Sequence, residues 1–284
     1  MSGTHTCTTP CPRLPRPQIE KPGATSLSEL QAVASACARA GTQLMDGVMF
    51  MHHARTQEWL RFLRGGPEGP GPLGALRCVN TTFAFSGDSD FHLKNIRVQP
   101  ALEPAGVLGD LFWYSARLAL LAFEWALPSH AACDVHARSA AGVVTEATTT
   151  LYWPDGRRAV AFNSFQVAFV QQATILGSRG ILHCDDFVLP RDSAAFSVVE
   201  NPGLKDCDRV VDMAPCVIRM EMEHGHQESR MWATFCELVR GGAAARERFW
   251  PRVTLLTQAV LDAALASAGA GGVRVAVQDI GDDY

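Results

Sequence analysis

A chain of 284 residues, 47% hydrophobic and 19% charged, is long enough for one large or two modest domains with their own cores. Its formal net charge of −4, a pI near 6.1 and the lack of any basic block argue against nucleic acid as the main partner. No apolar run reaches the ~18 residues needed to cross a membrane, and the nine scattered cysteines read as reduced thiols of an intracellular, cytoplasmic protein, an organelle not being excluded.

Residues 1–18 are Thr/Pro-rich and have no apolar signal core, so they read as a disordered tail, with a transit-peptide remnant or a mis-started gene as alternatives. Cys7 and Cys11 could be half of a zinc site, but no second Cys/His pair lies nearby, and no metal is expected. Ser26-x-x-Glu29 is a capping box, followed by Leu30, Val33, Ala34 and Cys37 on one helical face, with Gly41 as the stop. A short strand over 42–45 and a helix over 55–64 follow. His52 and His53 lie in the loop between them, where adjacent histidines are usually solvated.

The stretch 65–74 reads as a loop and a domain boundary. It spells G-x-G-x-x-G through Gly69, Gly71 and Gly74. Prolines 67, 70 and 72 remove N–H donors there, and a strand over 75–85 rather than a helix follows, so it is not a phosphate cradle. A helix is predicted over 110–125, with Asp110 as N-cap and Leu111, Tyr114, Leu118 and Leu121 at helical spacing.

Beyond it the pattern becomes β. Residues 143–153 alternate, Pro154-Asp155-Gly156 turns the chain, and 158–169 returns as a hairpin partner. Further strands are expected within 173–189, with a turn at Gly177–Gly180 and the Cys184-Asp185-Asp186 run as a strand end, and over 193–200, 208–213 and 217–223. Helices over 226–240 and 250–268 and a strand within 273–280 close the chain. The fold class is α+β: a largely antiparallel open sheet with helices on one face, preceded by a helix–strand–helix unit. The expected domains are 19–64 and 65–284.

On residue chemistry alone, Lys21 is a surface lysine at the poorer end of a helix dipole for a cation, and Tyr114 is an aromatic anchor. A phenol near pKa 10 becomes a useful acid–base group only if a cation stabilises its phenolate. Asp110 and Tyr114, four apart, share one helix face. Arg97 is equally readable as a salt-bridge partner.

Glu20-Lys21-Pro22 before a capped helix, then LMDGVMF, GVLGDLFWY and ILGSRGILHCDDFVLP, together resemble the Gfo/Idh/MocA oxidoreductases over about residues 19–270. The resemblance is greatest to the plant-type branch around dimeric dihydrodiol dehydrogenase and D-xylose dehydrogenase. It implies an N-terminal Rossmann domain that binds NAD or NADP, and a C-terminal α+β domain whose open sheet forms a homodimer. It implies a carbohydrate or diol substrate. Lys21, Tyr114 and Asp110 would be catalytic, Glu20, Lys21 and Pro22 would lie at the cofactor, and Arg97 and His53 at the substrate.

Three positions depart from the family pattern: Gly23, Phe112, whose ring could crowd the nicotinamide, and Ala54. Eighteen residues cannot hold βαβ units of ~30 residues each. The expectation is therefore a Rossmann remnant over 19–64 with an exposed edge and apolar face, and a truncated, inactive dehydrogenase in which cofactor binding is doubtful. The alternative is a cofactor-free pseudo-enzyme acting in dimerisation or ligand binding.

Overall fold

The computed structural model describes residues 18–64, 71–191, 194–200, 216–219, 226–241 and 247–281. The predicted tail up to residue 17, most of the 65–74 loop, the strand over 208–213 and most of that over 217–223 lie outside the described residues.

Two short parallel strands, β1 (Gln18–Ile19) and β2 (Met45–Asp46), flank helix α1 (Leu27–Ala40). Ser26 caps α1 by accepting the Glu29 N–H, worth about 1 kcal/mol. The Glu29 carboxylate reaches back to the Thr25 N–H and hydroxyl, one residue before the position a capping box assigns. Gly41, at φ 69°, ends the helix, and the following Thr42 N–H closes on the Cys37 carbonyl. A 3₁₀ turn (Met49–His52) and α2 (Ala54–Arg64) complete this part.

The main sheet has nine strands among the described residues, in the order β10-β9-β8-β7-β3-β6-β5-β4-β11. They are β3 (Leu76–Ser86), β4 (His130–Arg138), β5 (Val144–Tyr152), β6 (Arg158–Ser164), β7 (Gln166–Gly177), β8 (Gly180–Cys184), β9 (Phe196–Glu200), β10 (Cys216–Ile218) and β11 (Val275–Ala276). Every neighbouring pair is antiparallel except β3 with β6, which run parallel. The predicted return strand over 158–169 is split: Phe165, fully buried, separates β6 from β7, and each pairs with a different side of β3. Strand β4 and the short helix α3 (Ser89–Lys94) were not foreseen.

One face of the sheet is dry. Val79, Ala131, Leu151, Ala159, Ile175 and Leu182 line up in register and are buried beneath α4 (Trp113–Ala122) and α6 (Phe249–Gly269). The opposite face carries Asn80, Thr82, Thr148, Thr150, Val160, Phe162 and Thr174, half-buried or exposed. That alternation is the period-2 signature of a sheet covered on one side.

Helix α1 does not expose its apolar stripe. Leu27, Leu30 and Ala34 are buried in the same core as α6, and Asp262 of α6 accepts the Leu27 N–H at 2.6 Å. The exposed apolar face expected of 19–64 is therefore filled by α6. Helix α5 (Gln227–Arg240) packs its Met231 and Phe235 against Met45, over the 3₁₀ turn.

Candidate functional site

Strand β1 ends at Ile19, opposite Asp46 of β2, and the Gly47 N–H donates to the Ile19 carbonyl at 2.9 Å. Glu20, Lys21 and Pro22 leave the carboxyl end of this parallel pair, with the Lys21–Pro22 peptide cis. Glu20 is exposed and sets its carboxylate against Gly47. A Cβ on Gly23 would come within 2.9 Å of Ile19 Cδ1 and 3.0 Å of Leu30 Cδ1, so glycine lets the chain turn tightly onto α1.

Lys21 reaches 89 residues along the chain to Asp110. Its Nζ donates to the Asp110 carbonyl at 2.7 Å and to the Asp110 carboxylate. Arg97, at the 3₁₀ turn Ile96–Val98, donates from Nε to the other carboxylate oxygen at 2.6 Å. The same Lys21 ammonium stands 5.0 Å from the centroid of the Tyr114 ring. Lys21 and Asp110 are nearly buried, which makes these charge-assisted contacts stronger than surface pairs. The structure thus brings Lys21, Arg97, Asp110 and Tyr114 together.

Asp110 is not an N-cap. The backbone is already helical at Val107, and Leu108–Phe112 forms a π-helical turn that runs into α4. Such turns re-aim side chains by one position and recur at functional sites. Here the turn points the Asp110 carboxylate at two cations instead of at backbone N–H groups. Phe112 is fully buried and belongs to the core rather than to the space around Lys21.

The Tyr114 hydroxyl faces the Met49 sulfur at 3.7 Å, and its ring packs on Phe50 and Phe83. Burial, then the negative charges of Asp110, Glu20 and Asp46, push its pKa well above the ordinary phenol value, with Arg97 opposing. Lys21 lies over the ring face and is already paired with Asp110, so the expected phenolate-stabilising contact is not what the structure shows. Tyr114 is a neutral phenol at pH 7. Glu103, which sequence reasoning missed, sits beside Gly109: a Cβ there would come within 2.8 Å of Glu103 Oε1. Burial raises its pKa, while the Ala105 N–H, Lys21 and Arg97 act the other way. Nothing in LEPAG marks that glutamate in the sequence.

The histidines are not solvated. His52 stacks on Trp250 with ring centroids 4.5 Å apart and shares a contact with Thr234 at 3.3 Å. His53 is 5% exposed, and its Nδ1 accepts the Arg55 N–H at 2.9 Å. Arg55 in turn forms a buried ion pair with the Asp186 carboxylate and donates to the Asp186 carbonyl at 2.8 Å. The charges bearing on His53 are those of Arg55, Arg230, Asp186 and Glu228. Asp185, next to Asp186, is exposed and pairs with His183 on the open face at 3.0 Å.

Burial lowers both His52 and His53 to about 4, helped at His53 by Arg55 and Arg230 and at His52 by Arg117. An unfolded histidine binds its proton near 6.5. Between pH 6.5 and 4 the unfolded chain therefore holds more protons, and stability falls as pH falls, by on the order of 1 kcal/mol per pH unit for each histidine. Urea titrations across this window should show the summed slope of the two histidines, and His53→Gln should remove about half of it.

Gly71 and Gly74 of the G-x-G-x-x-G sequence form a turn into β3. The Gly71 carbonyl accepts from the Gly74 N–H at 2.8 Å and from Arg179 at 3.0 Å. Cys184 is buried, and its thiol is pushed up to about 12 by that burial. Among the described residues no cluster of His, Cys, Asp and Glu is arranged to hold a metal, and no helix is long and apolar enough to cross a membrane.

Residues 70–183 match the GFO/IDH/MocA C-terminal domain. The fold of the described residues is similar to that of several solved structures. KijD10, a 3-ketoreductase from Actinomadura kijaniata solved with NADP and TDP-benzene, matches at TM-score 0.73 and 20% identity over 89% of this chain and 70% of that one. An aldose-aldose oxidoreductase from Caulobacter crescentus, complexed with glycerol, matches at TM-score 0.74 and 22% identity, over 90% and 70%. GenD2 from gentamicin A biosynthesis, in complex with NAD, matches at TM-score 0.69 and 18% identity, over 93% and 72%. At these identities the likeness is one of fold.

Proposed function

We propose that this chain, which carries a GFO/IDH/MocA C-terminal domain, is a nicotinamide-dependent oxidoreductase acting on a carbinol or carbonyl carbon of a sugar, polyol or dihydrodiol. The observation that supports this most is the Lys21–Asp110–Arg97–Tyr114 cluster at the carboxyl ends of β1 and β2. Ligands of α/β units bind outside those strand ends. Glu20, Lys21 and Pro22 leave one end and Gly47 the other, so they are the residues that would hold the reacting end of NAD or NADP. When bound, the nicotinamide would supply or accept the hydride.

The chain's own residues handle the oxygen and the proton. Lys21 binds the substrate oxygen as a cation, and Asp110 keeps the ammonium oriented. Tyr114, a neutral phenol with a raised pKa, donates its proton to the developing alkoxide as a carbonyl is reduced, and recovers it from solvent. Its present partner, the Met49 sulfur, is a weak acceptor, so the hydroxyl is free to turn to a better one. Arg97, partly exposed and paired with the other Asp110 carboxylate oxygen, would meet the substrate. Tryptophan quenching by NADPH and NADH, with and without a pentose or vicinal diol, tests this reading. Saturable binding that is strengthened by the sugar supports it; no binding of either dinucleotide contradicts it.

A second reading, a cofactor-free module for dimerisation or ligand binding, is favoured by Tyr114 facing Met49 and by Lys21 being fully engaged with Asp110. Both readings take the open sheet face as a homodimer surface. Its threonines, Val160 and Phe162 make a mildly apolar patch. Light scattering should give twice the 30.7 kDa chain mass. Val160→Arg, which buries an unpaired charge at the centre of the patch, should halve it.

A further inference from the structure

A second ion pair lies one turn beyond the cluster. Asp46 of β2 and Arg117 of α4 are both fully buried. Arg117 donates from Nη2 to Asp46 Oδ2 at 2.5 Å and from Nη1 to Oδ1 at 3.4 Å, and its Nε donates to Thr257 of α6 at 2.7 Å. Its guanidinium also stands 5.9 Å from the Trp113 ring centroid. We propose that Arg117 and Asp46 are positioning residues: their ion pair fixes the strands that deliver Lys21 at a set distance from the helix that carries Asp110 and Tyr114.

Asp46 pairs with Ile19 in the ladder, and Lys21 follows Ile19 by two residues. Arg117 follows Tyr114 by three residues, so the two lie on neighbouring parts of one helix face. The strand pair and the helix are thus joined twice, by Lys21–Asp110 at the site and by Asp46–Arg117 behind it, with Thr257 of α6 holding the Arg117 guanidinium. A buried ion pair adds little net stability over well-packed apolar residues. What a bidentate guanidinium adds is a fixed orientation. The importance of that orientation for a reaction rests on the oxidoreductase reading; the distance itself does not.

The chain has three lysines, Lys21, Lys94 and Lys205, so reductive dimethylation with ¹³C-formaldehyde followed by NMR reads each amine, with Lys21→Arg assigning its signal. The apolar replacement Asp46→Leu with Arg117→Met keeps the interior filled. In that variant Lys21 should be labelled about tenfold faster, the effect of losing one charge-assisted hydrogen bond. Thr257→Val, a milder change, should raise the rate less and in the same direction, and exposed Lys94 should not change. Lys21 rates within about twofold of the unaltered protein in both variants would overturn the proposal. A protein that shows the Lys21 response yet binds no nicotinamide would leave the positioning intact and refute only the oxidoreductase reading.

Discussion

Replacing Asp186 with asparagine lowers the stability of the fold by about 3–5 kcal/mol, because it leaves the Arg55 guanidinium charged and unpaired in the interior. That is a large share of the 5–15 kcal/mol typical of a domain. Asp186 is a hub. Its carboxylate also accepts the Arg191 N–H at 2.7 Å and the Cys184 thiol at 3.3 Å, and its backbone bridges Gln171 of β7. The pair joins the first turn of α2 to the end of β8, so its loss loosens the helix beneath His53. The double change Arg55→Met with Asp186→Leu should restore most of the loss, since the desolvation cost of both charges disappears with them. Urea midpoints of the three proteins decide it. A single variant within about 1 kcal/mol of the unaltered protein would mean that water reaches this pair.

Replacing Lys21 with methionine should lower kcat by on the order of 10²–10³, the usual effect of removing one preorganised donor to a developing oxyanion. Two changes act together. The substrate oxygen loses its cation, and the Asp110 carboxylate keeps only Arg97, which is more exposed than Lys21. The extra unbalanced negative charge beside Tyr114 raises its pKa further, so the phenol becomes a poorer proton donor. Lys21→Arg should not restore the rate, because the longer planar guanidinium cannot occupy the place of the ammonium between the Asp110 carbonyl and carboxylate. If the methionine variant keeps its rate, Lys21 is a structural partner of Asp110 and nothing more.

Local chemistry made much of the fold legible. The α1 cap and stop, the alternation of β5 and the Pro154-Asp155-Gly156 turn into β6 all act within a few residues, and the structure has them. Strand β4 could have been read as well, since Ala131 and Cys133 alternate with half-buried or exposed neighbours; their small size hid the pattern. The parallel pairing of β3 with β6 was not legible, because it depends on a register between segments about 80 residues apart. Of the site, Lys21, Asp110, Tyr114 and Arg97 were singled out, but their contacts were not. Asp110 looks like a cap in sequence, and only the π turn and the distant lysine show where its carboxylate goes. The burial of His52 and His53 depends on what packs over them from much later in the chain, including Thr234 and Trp250. The Arg55–Asp186 and Arg117–Asp46 pairs left no local sign, since a buried charge is recognisable only once its partner is known.

The cluster around Lys21 is most directly tested by isotope transfer. The protein is incubated with NADPH or NADH carrying deuterium at the transferable position and with a panel of ketosugars, and the product is read by NMR. One deuterium is expected at the new carbinol carbon, formed by the unaltered protein and lost with Lys21→Met. Transfer at an undiminished rate by the Lys21→Met protein, or no transfer by the unaltered protein to any sugar or diol-derived ketone, would contradict it.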